Sequence, residues 1–171
     1  MSTCTPLEFL DEETEVEGTV AGQVRPPDPA VARLIGGEWD APEPLMAHLI
    51  QRIRHGDANV VDDLDRVVRG GPIGGRFVDA DTRALAIETL AAARSATFEG
   101  RVRGLLFDLV AATEPKLRFA AIASASDLSP SGRVLIRAAI QRVASQDPND
   151  RVRAAAAAFL QAHAPTRTNR Y

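Results

Sequence analysis

Three clusters of side chains in this chain have residue types that can do chemistry. The first is His48, Arg52 and His55, with the two imidazoles seven residues apart on roughly one helical face. A zinc pair on a helix wants a spacing of three or four, and the metalloprotease pattern adds a glutamate directly after the first histidine. This spacing reads instead as surface histidines. The second cluster is Asp57, Asn59, Asp62 and Asp63, which hints at a calcium loop. Such a loop would need Asp or Asn at 61, glycine at 62 and an acid at 68, where the chain has Val61, Asp62 and Val68. The third is Gly70-Gly71-Pro72-Ile73-Gly74-Gly75, as glycine-rich as a phosphate loop. The Walker pattern continues with lysine and then Ser or Thr, but here Gly75 is followed by Arg76-Phe77, so the stretch reads as a linker or a mobile binding loop. Cys4 is the sole cysteine, which excludes an intrachain disulfide and a thiolate metal cluster and makes a reducing cytoplasm the default. No serine stands in a recognisable nucleophile elbow. With no sign of catalysis, metal or cofactor, the expectation is a non-enzymatic protein.

What remains is charge, and its distribution is uneven. Residues 1–45 carry ten acidic and two basic side chains, residues 46–171 thirteen and eighteen, so the halves balance at −8 and +5. Either the acidic part lies against the basic part, or the basic part has an acidic partner of its own. Of the twenty basic residues only Lys116 is a lysine, and this Ala and Arg bias points to a GC-rich bacterial genome. Arg133 and Arg137, one helical turn apart, with Arg142 further along and Arg101 and Arg103 from an earlier stretch, are candidates for one basic surface. Without interleaved aromatics, five arginines can grip phosphates but supply no base stacking or base readout. They can equally grip an acidic protein, which the overall net charge of −3 favours.

The elements that must position these arginines follow from a repeat. Arg153, Ala156 and Leu160 reproduce Arg118, Ala121 and Ala125 at a distance of 35 residues, and those reproduce Arg83, Ala86 and Leu90 at the same distance. Between them, Val102, Leu105, Leu106, Leu109 and Val110 precede Ile136, Ala139, Ile140, Val143 and Ala144 by 34 residues, both sets in helical spacing. The unit is a helical hairpin, with helix A carrying the arginine and helix B the aliphatic stripe. A hairpin cannot bury its apolar face alone and must stack on a neighbour.

Asp147-Pro148 followed by Val152-Arg153 and a run of alanines resembles the turn and helix opening of HEAT repeats. The resemblance spans about residues 79–163. In the unit 114–125, Glu114-Pro115 replaces Asp-Pro with two fewer residues before the arginine, and in the unit 79–90 the proline is missing. The resemblance implies an all-α solenoid of helical hairpins in a right-handed stack. By the same analogy Arg83, Arg118 and Arg153, with Asp147, make a structural ladder between neighbouring repeats. HEAT-like arrays serve mainly as binding scaffolds and a few as DNA glycosylases, so the fold alone does not carry function.

In order, residues 1–27 read as an acidic N-terminal segment, irregular or a short hairpin, and 28–163 as the repeat domain. Within it, Asp28-Pro29 starts a short helix ended by Gly36, and Trp39 follows in a loop placed to cap the apolar end of the array. A degenerate first repeat spans 40–69, the glycine-rich loop 70–78 and regular repeats 79–163, with helices near 80–93, 98–112, 114–126, 130–145 and 148–163. Asp79 or Asp81, Thr97, Thr113, Ser129 and Asp147 stand where N-caps belong, and Pro115, Pro130 and Pro148 in first turns. On the helix 57–69, Asp62, Asp63, Asp65, Arg66 and Arg69 read as outward. His163, at a helix end, would suit the carbonyl dipole as an imidazolium. On the last helix Ala154, Ala157, Ala158 and Gln161 form a small-residue face that either the tail 164–171 covers or a second copy meets. No run approaches the length of a membrane span, and none has signal-peptide form.

The sequence therefore predicts a protein-binding adaptor, inhibitor of immunity type or complex subunit, engaging an acidic protein through the concave helix B surface. The alternative is a nucleic-acid-binding module or HEAT-like DNA-repair glycosylase using the same arginines. A third reading is a scaffold that self-assembles through the C-terminal helix.

Overall fold

The computed structural model describes residues 25–37, 41–73 and 77–164. These form eight α-helices and one 3-10 turn: α1 Pro29–Gly36, α2 Glu43–Arg54, α3 Ala58–Arg69, α4 Ala80–Ala92, α5 Glu99–Leu109, α6 Pro115–Ser124, the turn Ala125–Asp127, α7 Pro130–Gln146 and α8 Asp150–Ala162. The fold is all-α. The readings placed on residues 1–24, on Trp39, on Gly74-Gly75-Arg76 and on the tail beyond 164 lie outside the described residues.

Local chemistry sets the helix starts. The carboxylates of Asp28, Asp57 and Asp79 accept from the backbone N–H of Ala30, Val60 and Thr82, and the Ser129 hydroxyl accepts from that of Gly132. Each satisfies a donor that the first helical turn leaves without a partner. Three expected caps are corrected. Helix α5 starts after Phe98 and α6 after Glu114, neither with a side-chain cap, so Thr97 and Thr113 do not cap. At α8 the cap is Asn149, whose side chain accepts from Arg151 and Val152 N–H. Asp147 and Pro148 therefore stand in the turn and not in the helix. Helix α2 begins at Glu43, three residues into the stretch 40–69 read as the first repeat, with prolines at 42 and 44 bracketing its first residue.

The aliphatic stripes are the core. Val102, Leu105, Leu106, Leu109 and Val110 of the α5 stretch are buried, as are Ile136, Ala139 and Ile140 of α7, while Val143 and Ala144 are half-buried. Each fully buried Leu or Ile contributes about 1.5–3 kcal/mol. Helix α2 packs on α4, α4 on α6 and α6 on α8, while α5 packs on α7. Helices α3, α5 and α7 each also pack on the helix that follows them, and α1 lies on α2 and α3. This order brings the ends of α5 and α7 side by side, with the turns that lead into α6 and α8.

Candidate interaction surface

The three repeated arginines occupy equivalent places. From α4, Arg83 donates through Nε to the Val68 carbonyl at 2.9 Å and reaches Glu114 Oε1 at 3.4 Å. From α6, Arg118 donates through Nη1 to the carbonyls of Ala112 and Thr113 at 2.9 and 2.8 Å. Its Nε and Nη2 grip both oxygens of Asp147 at 2.6 and 2.8 Å. From α8, Arg153 donates to the Asp147 carbonyl at 2.6 Å and pairs with Asp150 of its own first turn. Each guanidinium thus closes the end of the preceding helix or turn, and two of the three also reach an acid in the turn ahead. Burial of the Arg118 pair is nearly complete. The Arg118 guanidinium, helped by the Asn149 N–H and opposed by burial, holds the Asp147 carboxyl below the ordinary aspartate range.

The five arginines singled out as a binding stripe do not form one surface. Arg101 is spent within the chain, with Nε 2.7 Å from Asp65 Oδ2 and Nη1 2.5 Å from Asp62 Oδ1. Two of the α3 acids read as outward are in fact buried. Asp63, only 1% exposed, accepts from Arg25, Arg66 and the Asp28 N–H, and so fastens the connector before α1 to α3. Asp65 takes Arg69 and Arg101. Arg133 donates to the carbonyls of Leu128 and Ser126 at 2.7 and 3.2 Å, and Arg137 to that of His163 at 2.8 Å. Partial burial, and then the charges of these two arginines, push the His163 imidazole below its ordinary value, so the expected imidazolium is disfavoured. Arg142 lies nine residues after Arg133, about half a circle round the helix, and points to a different side. It is exposed, and Arg103 is half-buried. Neither forms an ion pair among the described residues.

On the Arg142 side, a groove of 360 Å³ runs between the ends of α5 and α7. Its walls are Val110, Ala111, Ala139 and Val143, and the Arg118–Asp147 pair lies at its base. Phe107 and Arg142 also line it, and Phe107 is 49% exposed. Leu135 and Val134 of α7 are exposed as well. The sequence reading passed over Phe107. The signal was present, because an aromatic between Leu106 and Leu109, outside the stripe those residues define, stands on the polar side of an amphipathic helix.

A second cavity, of 460 Å³, opens at the loops that follow α4 and α6. There Glu99 accepts from the Ser129 N–H and hydroxyl at 3.0 and 2.5 Å, and Arg94 donates to Asp127 at 3.0 and 2.6 Å. Arg94 holds the left-handed backbone (φ 47°) where glycine usually ends a helix, which its tie to Asp127 helps offset. A Cβ on Gly132 would overlap the Glu99 carboxylate. These contacts bind one loop to the next and leave the acids satisfied.

His48 and His55 are exposed, and among the described residues no group of three or more His, Cys, Asp or Glu is placed to hold a metal ion. On α8, Ala154, Ala158 and Gln161 are exposed and Ala157 is half-buried. No helix of the described residues is long and apolar enough to cross a membrane. The chain matches no family model, no curated protein and no solved structure.

Proposed function

We propose that the chain is a non-enzymatic protein-interaction module, an array of HEAT-like helical hairpins whose contact surface is the groove between Phe107 and Arg142. The packing of α2, α4, α6 and α8 in succession, with α5 on α7 beside them, supports the array. The observation that carries the functional reading is a half-exposed phenylalanine, and an arginine with no ion pair among the described residues, along a groove with aliphatic walls. An apolar anchor entering the groove would gain burial against Phe107 and Val143, and a neighbouring carboxylate would meet Arg142. The partner is thus an acidic protein segment bearing an apolar side chain. The nucleic-acid alternative draws on five arginines of which three are held by the chain's own acceptors, so the geometry favours it less.

The test is affinity capture with the full chain, Phe107→Ser and Arg142→Glu, under nuclease treatment, with Arg151→Glu, an exposed residue of α8 away from the groove, as a control. The expected result is a protein retained by the full chain and the control and lost about tenfold or more from both groove variants. Retention that both groove variants share, or that nuclease removes, would overturn the proposal.

A further inference from the structure

The groove selects for an apolar side chain next to carboxylates, and this chain carries such a segment itself. Leu7, Phe9 and Leu10 surround Glu8 and are followed at once by Asp11, Glu12 and Glu13; the first 24 residues hold six acids and no basic residue. At the groove, α7 presents Arg142, and the helix carries no acid at all. Resting on the reading of the groove given above, we infer that residues 7–13 of this chain occupy it when no partner is bound. The apolar side chains would seat against Phe107 and Val143, and the carboxylates would meet Arg142.

The tether permits this. Arg25 is fixed to α3 through Asp63 at 2.8 Å and the Asn59 carbonyl at 3.3 Å. The twelve residues back to Glu13 reach at most about 40 Å. Two helix-packing steps of about 8–10 Å each, plus one helix length of about 18 Å, fall inside that reach. A tethered segment acts at an effective concentration on the order of millimolar, so even a weak contact is well populated and a partner must displace it. The acidic segment then sets a threshold for partner binding.

The test uses the full chain. A nitroxide on Cys4, the sole cysteine and three residues from Leu7, broadens the amide resonances of whatever surface the segment visits. The expected result is broadening at Phe107, Ala111, Arg142 and Gln146 several-fold stronger than on α2. It should be lost in the Phe9→Ser, Leu10→Ser double variant, which leaves residues 25–164 unchanged, and weakened by salt. Uniform broadening, or strongest broadening on another face, would overturn the inference. So would equal broadening between nitroxide-bearing chains and separate isotope-labelled chains, since the occupant would then be a second copy. If broadening is absent while Phe107→Ser still loses its captured partner, the occupant is wrong and the groove stands. If both fail, the groove reading falls with it.

Discussion

Helix α6 takes part in two arginine–carboxylate rungs built from the same chemistry, and they differ in depth. The rung toward α8, Arg118 to Asp147, has both partners almost wholly buried, with two short bonds between them. The rung toward α4, Arg83 to Glu114, is a single 3.4 Å contact, and the Glu114 side chain is 46% exposed. The cause is the turn. Glu114 stands at the N-cap position of α6 itself, whereas Asp147 stands two residues before its cap, Asn149, and can tuck under the turn and accept the Asn149 N–H at 2.8 Å. The two-residue offset of the acid from its cap thus decides whether the pair is structural core or surface.

That difference predicts unequal costs. Removing one member of a buried pair leaves the other charged and dry, so Arg118→Ala should cost about 3–5 kcal/mol. Arg83→Ala should cost about 1 kcal/mol, since its acid is already in water and its carbonyl bond is what is lost. Denaturant midpoints of the two variants decide the matter, and equal losses would mean that the position of the acid relative to the cap does not set the depth. Titration sharpens the same contrast. Because Arg118 lowers the folded pKa of Asp147, the pair contributes stability that is complete above the ordinary aspartate value of about 3.9 and is lost as the pH falls through the lower folded value. The gap between the full chain and Asp147→Asn should therefore close on acidification. A gap that persists at the lowest pH of the titration would show that packing, and not charge, holds the turn.

The repeat made the arginines legible, because residues 35 apart in α4, α6 and α8 make like contacts, each guanidinium closing the end of the helix or turn before it. The aliphatic stripes were legible for the same reason, and Leu105, Leu106, Ile136 and Ile140 are buried accordingly. What the spacing did not carry was direction. Arg133 and Arg142 share a helix but not a face, and Asp63 and Asp65 looked solvent-facing on a helix whose charged side is itself covered, by the connector at Arg25 and by Arg101. Such contacts join residues 36 to 38 apart, beyond any local pattern. The cap of α8 shifted from Asp147 to Asn149 because two residues in one turn offer caps and only geometry chooses between them.

A smaller effect probes the weaker rung from its other side. Gly70 ends α3 in the left-handed conformation (φ 73°), and a Cβ there would lie 3.0 Å from the Arg83 guanidinium carbon. Gly70→Ala should cost about 1–2 kcal/mol from backbone strain, with a further part from displacing Arg83. Combined with Arg83→Ala, only the strain should remain, so the double variant should be more stable than the sum of the two single losses implies. Strict additivity would mean that Arg83 moves aside at no cost.

The smallest effect is expected where the proposed function is placed. Phe107 follows Leu106, which is fully buried, yet is itself 49% exposed at the groove. A side chain held for folding loses stability when truncated, whereas one held for a partner loses mainly binding. Phe107→Ser should therefore cost about 1 kcal/mol, well below Arg118→Ala, because about half of the ring is already in water, and Arg142→Glu no more than about 0.5 kcal/mol, because Arg142 is exposed and forms no ion pair among the described residues. Calorimetry of both variants beside the full chain checks this without knowledge of any partner. A Phe107→Ser loss as large as that of Arg118→Ala would make the phenylalanine part of the core and take away the anchor on which the groove reading depends.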